Sequence, residues 1–207
     1  MRVTRQTTKW SETVQSRDQQ FSLKRMALLK QAARAFSSRG YHGTSLDDVA
    51  KTLGVTKPAL YYYVKNKQEI LFECHALAQD LGDRALEKAL KVGGTGREIV
   101  LLVGRTFIEL MTSEIGACAI LAELDALEPA NRQIIAARRD KFTRRFRKLI
   151  EKGIADGSIR SVDPSLTVLF FLGAVNWMTV WYNPDGSKSG KEIAQIFTDL
   201  LDHAMSA

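Results

Sequence analysis

The sequence predicts an all-α fold in two parts, an N-terminal three-helix unit and a longer helical body. Three observations predict it. Apolar residues recur at helical spacing along most of the chain, and no convincing stretch alternates like a half-buried strand. Residues that cap helices stand just before those runs, with glycine or proline after them. Positive charge is concentrated at one end: residues 1–72 carry 13 Lys/Arg and 5 Asp/Glu, whereas residues 73–207 carry 17 and 18. The net charge of +7 is therefore an N-terminal property, and a basic module joined to a near-neutral body points to a polyanion-binding unit fused to something else.

Taken in order, residues 1–20 are polar, without a clear period, and read as a mobile arm. Arg2, Arg5 and Lys9 in it suit phosphates or a minor groove, although an expression scar or plain disorder is the simpler explanation of the segment. Met26, Leu29, Ala33 and Phe36 give a helix over 22–39, stopped at Gly40. Ser45 with Asp48 forms a capping box that opens a helix through Leu53. After Gly54, Thr56 caps a short helix over 57–64, in which Pro58 occupies a first-turn position that needs no amide partner. Asn66 with Glu69 starts a long helix that runs to Val92, where a Gly-Gly-Thr-Gly run breaks it. Further helices are expected over 97–113, 116–127, 129–156, 164–182 and 189–205. The domain reading is an arm at 1–20, a helix-turn-helix unit at 21–67 and a helical body at 68–207.

Several functional classes fall away. Cys74 and Cys118 fit neither a disulfide framework nor metal-ligand spacing, so no metal or cofactor is expected and the chain reads as cytoplasmic with reduced thiols. His42, His75 and His203 have no matching nucleophile or acid, and no glycine-rich phosphate loop follows a strand, so the chain is not expected to be an enzyme. The apolar segment 166–181 falls short of the roughly 20 residues of a membrane helix and is read as a buried helix, with no membrane partner.

Two helices joined by a glycine-containing turn at Gly54 have the form of a helix-turn-helix, whose second helix enters the DNA major groove. Lys57 and Ala59 lie near the N-terminus of that helix; a lysine there donates to guanine O6 or N7, and an alanine meets the thymine methyl. Tyr61, Tyr62 and Tyr63 span about 200° of helix surface, so they cannot all be core, and outward hydroxyls suit phosphate oxygens. Lys67 and Ser45 stand at helix N-termini, whose free amides favour a phosphate, and Thr44 is placed beside Ser45.

Over residues 24–72, A-A-R-A-F-S-S-R-G-Y-H-G-T-S-L-D-D-V-A followed by G-V-T-K-P-A-L-Y-Y-Y-V-K-N-K-Q-E-I-L resembles the DNA-binding domain of TetR-family transcriptional repressors. The resemblance puts Gly54, Leu60 and Tyr61 on signature positions and Lys57, Ala59, Tyr62, Tyr63 and Lys67 on positions that contact operator DNA. Tyr63 stands where histidine is frequent. The family is all-helical, dimeric and without enzymatic activity, which implies a homodimer on a double-stranded operator.

In the body, helix 189–205 carries a stripe of Ile193, Ile196, Phe197, Leu200, Leu201 and Ala204, and helix 164–182 is apolar almost all round. Together they are expected to form a four-helix interface with their symmetry mates. On helix 129–156, Ile135, Phe146 and Leu149 share a face with Phe142, and Arg138 and Arg139 fall beside it. An inward arginine needs an anion, supplied either by Glu123 or by a ligand. The runs R-D-K-F at 139–142, G-I-A-D-G-S-I-R at 153–160 and G-A-V-N-W-M-T-V-W-Y-N-P-D-G at 173–186, with Asp163-Pro164, resemble the branch of the family that senses fatty or steroid-derived acyl-CoA thioesters. That resemblance implies a hydrophobic effector, with Phe107, Met111, Phe170, Trp177 and Trp181 around its chain and Asn176 toward the thioester carbonyl; core and interface packing is the plainer role for each. A repressor of an efflux pump, sensing aromatic or cationic drugs, is the alternative within the class, and a nonspecific architectural DNA binder is the alternative outside it.

Overall fold

Capping chemistry sets the start of most helices. The computed structural model describes residues 16–115 and 124–206, and the described residues form helices and no strand. Helix α1 (Arg17–Arg39) opens with a reciprocal box between Ser16 and Gln19. It begins five residues earlier than its apolar period suggested, because its first turns are polar and the cap, not the period, fixes the start. Residues 17–20 are thus helix rather than arm, while Arg2, Arg5, Lys9 and Trp10 lie outside the described residues. Helix α2 (Leu46–Leu53) has the expected Ser45–Asp48 box and ends at Gly54, whose φ of 67° and ψ of 29° place it in the left-handed region that glycine tolerates best.

Helix α3 (Lys57–Tyr61) is shorter than expected, and Thr56 makes no side-chain cap bond to it. The Leu60 carbonyl closes its end by accepting from both Tyr63 N–H and Val64 N–H. Helix α4 (Lys67–Val92) is capped by Asn66, whose side chain accepts from Glu69 N–H. The Glu69 carboxylate returns to Lys65 N–H at 2.6 Å, so the expected box is only half formed. Helix α5 (Gly96–Leu110), opened by a Thr95–Glu98 box, continues into a π-helical turn over Met111–Ile115. The helix expected over 116–127 falls mostly outside the described residues; its end is a 3₁₀ turn, Leu124–Ala126. Helices α6 (Pro129–Ala155), α7 (Pro164–Trp181) and α8 (Gly190–Met205) complete the body.

Two packed regions share one apolar core. Helices α1, α2 and α3 close a head around Leu28, Phe36, Val49 and Leu60, with Ile70 and Leu71 from the first turns of α4 in the same core. In the body α5 is central and packs against α4, α6 and α8, while α7 packs on α6. Helix α4 belongs to both.

Two expectations about the body change. Helix α7 is not buried: Val168, Phe171, Val175 and Met178 face inward, but Leu166, Phe170, Trp177, Val180 and Trp181 are exposed. By length and composition α7 is apolar enough to cross a membrane, yet its inner face is part of the helical core. The α8 stripe also divides, because Ile193 and Leu201 pack within the chain while Ile196 and Leu200 face outward beside α7. A stripe wider than one neighbour can cover serves two surfaces.

The end of the body remote from the head is tied by charge. Arg97 Nη2 donates to Asp202 Oδ2 at 2.7 Å and to Ser206 Oγ at 2.9 Å, joining α5 to α8. Asp156 accepts from the Ser158 hydroxyl, from Gly96 N–H and from Lys152, which joins the end of α6 to the start of α5. These bonds, the Ser158 hydroxyl first, hold the Asp156 carboxyl far below the usual carboxylate range. A lowered folded value means that the stabilisation is complete above the unfolded carboxylate value, about pH 4, and is lost as pH falls through the folded one. Asp156→Asn should therefore melt earlier than the parent at pH 7, with the gap in Tm narrowing steadily on acidification. A gap independent of pH would show that the charge of Asp156 contributes nothing.

Candidate DNA-reading surface and effector cavity

The reading surface is built outward from Leu60. That side chain is buried and anchors α3, so the faces on either side of it turn to solvent. Lys57, Ala59, Tyr61 and Tyr62 are exposed, Tyr62 the most open of the tyrosines at 64%. Tyr63 is half-buried, its ring 5.1 Å from Phe21 of α1 and 5.1 Å from Tyr62. Three consecutive tyrosines on a helical turn cannot share one environment, and here they divide into two outward rings and one packed ring.

Lys57 is engaged. Its Nζ lies 2.8 Å from Asp47 Oδ2 on α2, and this hydrogen bond raises the lysine above its ordinary value, so it stays charged. Both groups are exposed, and such pairs are weak in water, so a base edge or phosphate can take the place of Asp47 at little cost. Ser45 is exposed at the α2 N-terminus, with its hydroxyl and amide turned to Asp48. Lys67 places its Nζ 4.0 Å from the centroid of the Tyr41 ring, a cation–π contact that positions the charge at the start of α4. Thr44 departs from expectation. Its side chain is buried and its hydroxyl donates to the Ala35 and Gly40 carbonyls, each at 3.0 Å, closing the end of α1 instead of facing DNA.

Arg25 is not singled out by the sequence, and it holds the reading helix in place. Its Nε donates to the Tyr63 carbonyl at 3.3 Å while Nη2 pairs with Glu69 and Glu73 of α4 at 3.3 and 3.2 Å. The spacing of Glu69 and Glu73, one helical turn apart, was the available signal.

Beneath the head, a cavity of about 450 Å³ lies between α4, α5, α6 and α7, lined by Gln79, Phe107, Leu124, Ala136, Arg139, Asp140, Phe142, Thr143, Leu169, Leu172, Gly173 and Asn176. That volume is within the range of ligand sites. Asp140, Leu169 and Gly173 are exposed as well as lining, so they mark the mouth, between α6 and α7. Phe107 and Phe142 pack with tilted rings, centroids 5.5 Å apart, and begin an aromatic row that continues to Phe146 and Phe171. Of the residues expected to hold a ligand, Phe107, Arg139 and Asn176 line the cavity.

The others do not line it. Met111 is buried in the π-helical turn. Arg138 bridges Asp80 and Asp83 of α4 at 2.6 and 3.6 Å, so the neighbouring helix, not a ligand, supplies its counter-charge. Phe170, Trp177 and Trp181 lie on the exposed arc of α7, rotated from the arc that carries Leu172 and Asn176. A helix apolar on every side gives no period from which that distinction can be read. Among the described residues Arg139 forms no ion pair, and Glu123, its other candidate partner, lies outside them.

Residues 28–74 match the family model described as "Bacterial regulatory proteins, tetR family", and residues 94–205 match "Tetracyclin repressor-like, C-terminal domain". The chain belongs to the TetR family of transcriptional regulators. Among solved structures it is similar to the TetR-family regulator PfmR from Thermus thermophilus, with 32% identity, 85% of this chain and 97% of that chain covered, and a TM-score of 0.74. It is similar to AibR, solved in complex with isovaleryl coenzyme A and operator DNA, with 30% identity, 86% and 97% coverage and a TM-score of 0.71. The transcriptional repressor KstR2 of Mycolicibacterium smegmatis is 24% identical over 190 residues, covering 86% of this chain and 88% of its own.

The exposed surface around α3 lies within the matched TetR segment, and Lys57 is its most direct candidate for reading a base. Lys57→Ala should weaken binding to a preferred duplex by about 1–3 kcal/mol while leaving binding to scrambled duplex almost unchanged, as measured by fluorescence anisotropy at fixed salt. An equal loss on both duplexes would make Lys57 a phosphate contact instead.

Proposed function

We propose that this TetR-family regulator is a homodimeric repressor that leaves its operator when a hydrophobic effector, an acyl-CoA thioester, fills the cavity. The observation that carries the reading is the chemistry of the cavity wall. Phe107, Phe142, Leu169 and Leu172 supply an apolar lining, Asn176 a donor for a carbonyl, and Arg139, among the described residues without an ion pair, a charge for an anionic headgroup. At about 450 Å³ the cavity suits the apolar part of such a ligand, with the headgroup leaving between α6 and α7. The similarity to AibR, solved with an acyl-CoA and operator together, supports the same class.

Dimerisation is supported by the exposed faces of α7 and α8. Leu166, Phe170, Trp177, Val180 and Trp181 stand beside Ile196 and Leu200, and the Trp181 and Phe197 rings, 6.2 Å apart, join the two helices into one apolar surface. Contiguous apolar area of this kind marks an association surface, and pairing it by a two-fold axis gives a four-helix interface. A single head makes few contacts, so two of them about 34–36 Å apart would read successive turns of a partly palindromic site.

One observation favours a second reading. Asp140 lines the cavity mouth, and an acidic group there suits a cationic drug, as in a repressor of an efflux pump. Either ligand acts only through its preference for the non-binding shape; a coupling of about 1–3 kcal/mol is usual, and a shift from mostly bound to mostly released needs about 5.5 kcal/mol.

Palmitoyl-CoA and the cationic dye ethidium separate the readings. Palmitoyl-CoA should displace the protein from a selected duplex, and Arg139→Ala should bind that duplex normally while resisting displacement at least tenfold, a change of about 1.4 kcal/mol. Displacement by ethidium and not by palmitoyl-CoA, at dye concentrations that leave the bare duplex unaffected, would replace the acyl-CoA reading with the drug-sensing one.

A further inference from the structure

Cavity and head are joined by a side chain that neither uses. Gln68 lies in the first turn of α4, next to Lys67, and its amide works in both directions. Nε2 donates to the Ala126 carbonyl at 2.7 Å, and Oε1 accepts from Glu128 N–H at 3.1 Å. Between those partners Leu127 is buried, so the segment is anchored as well as clamped. Two residues before Ala126, at the start of the same 3₁₀ turn, Leu124 lines the cavity. Arg132 of α6 fastens the turn further, through the Asp125 carboxylate at 3.4 Å and the Asp125 and Leu127 carbonyls at 3.4 and 3.5 Å. The turn is one piece with a cavity wall at one end and an amide clamp at the other.

The clamp reaches the reading surface directly. The residue before Gln68 is Lys67, held over Tyr41, and the residue after it is Glu69, which accepts from Lys65 N–H and pairs with Arg25. Arg25 in turn holds the Tyr63 carbonyl just past α3. Both bonds are of ordinary length and weaken steeply if stretched or bent, so while they hold, a displaced turn takes Gln68, and with it the first turn of α4.

We infer that Gln68 is the positioning residue that carries cavity occupancy to the DNA-reading head: pressure on Leu124 moves the turn, the Gln68 amide moves the start of α4, and the Glu69–Arg25 pair passes this to α3. The inference rests on the cavity being the effector site proposed above, and its test needs no effector. Ala136→Trp places a bulky ring in the cavity as a fixed occupant, and Gln68→Leu removes both clamp bonds while keeping a side chain of similar size. Hydrogen exchange over residues 65–71 and affinity for a duplex selected on the parent protein are read in both single variants and the double variant.

Ala136→Trp should alter exchange over 65–71 and lower duplex affinity about tenfold, within the usual range of a coupling between sites. Gln68→Leu alone should bind duplex as the parent does, and in the double variant the effect of Ala136→Trp should vanish from both readouts. Equal effects of the introduced tryptophan with and without Gln68 would overturn the relay, as would no effect in the parent background, or loss of duplex binding by Gln68→Leu alone at an unchanged Tm. Should Ala136→Trp fail to fold, Ala136→Leu replaces it under the same outcomes. If the tryptophan acts through Gln68 while palmitoyl-CoA leaves the duplex bound, the acyl-CoA assignment fails and the relay stands.

Discussion

Helix α4 is a member of two cores at once, and the rest of the structure depends on that sharing. Near its start, Cys74 Sγ donates to the Leu29 carbonyl of α1, and Ile70 and Leu71 are fully buried with the head. Two turns further on, about 12 Å along the axis, Gly82 lies under Phe142, where a Cβ would approach the ring to 3.0 Å. Phe142 is also a cavity wall. A helix that is rigid over this length cannot adjust to one core without reporting to the other, because packed interiors admit little continuous deformation. Head and body are therefore a single mechanical unit.

Charge completes what packing begins. Arg138 and Arg145 of α6 both reach Asp83 of α4, and Arg138 also reaches Asp80, so the α4–α6 contact has an apolar centre and an ionic edge. Arg25 makes the corresponding edge between α1 and α4. These pairs are partly exposed and each contributes little alone. Their use is geometric: they fix how α4 is rotated against its neighbours, and rotation decides where Lys67 and the end of α3 point. In the proposed dimer, a small change at the cavity wall would thus alter the spacing of the two heads.

The sequence is most readable where structure is local. Ser45 with Asp48, Asn66 before α4, Gly54 in the turn and Gly93 after Val92 all sit where capping rules put them, since a cap is decided within four residues. The head is also legible because three consecutive tyrosines on a helical turn cannot all be buried, and Tyr61 and Tyr62 do face outward. What cannot be read is long-range. Thr44 beside a capping serine looks like a surface residue, and only the return of α1 shows that its hydroxyl is used internally. Arg138 and Arg139 are adjacent on one helix, and nothing local says that the first meets Asp80 while the second meets a cavity. Phe170, Trp177 and Trp181 group with the cavity by residue type, whereas the fold turns them to the outside. Periodicity gives the angle of a side chain about its own helix axis and leaves open which neighbour occupies that angle.

In the proposed dimer, the distance between the two heads is the most direct measure of whether cavity and DNA surface are coupled. With a nitroxide at Thr52→Cys, an exposed position of α2, in a Cys118→Ala background where Cys74 stays buried, pulsed dipolar spectroscopy reports that distance in the intact protein. A coupled dimer predicts a single narrow distribution on duplex DNA, and a shifted or broadened one when the cavity is filled by palmitoyl-CoA or by Ala136→Trp. No inter-label signal at all, or a distribution that is unchanged while DNA is released, would contradict it.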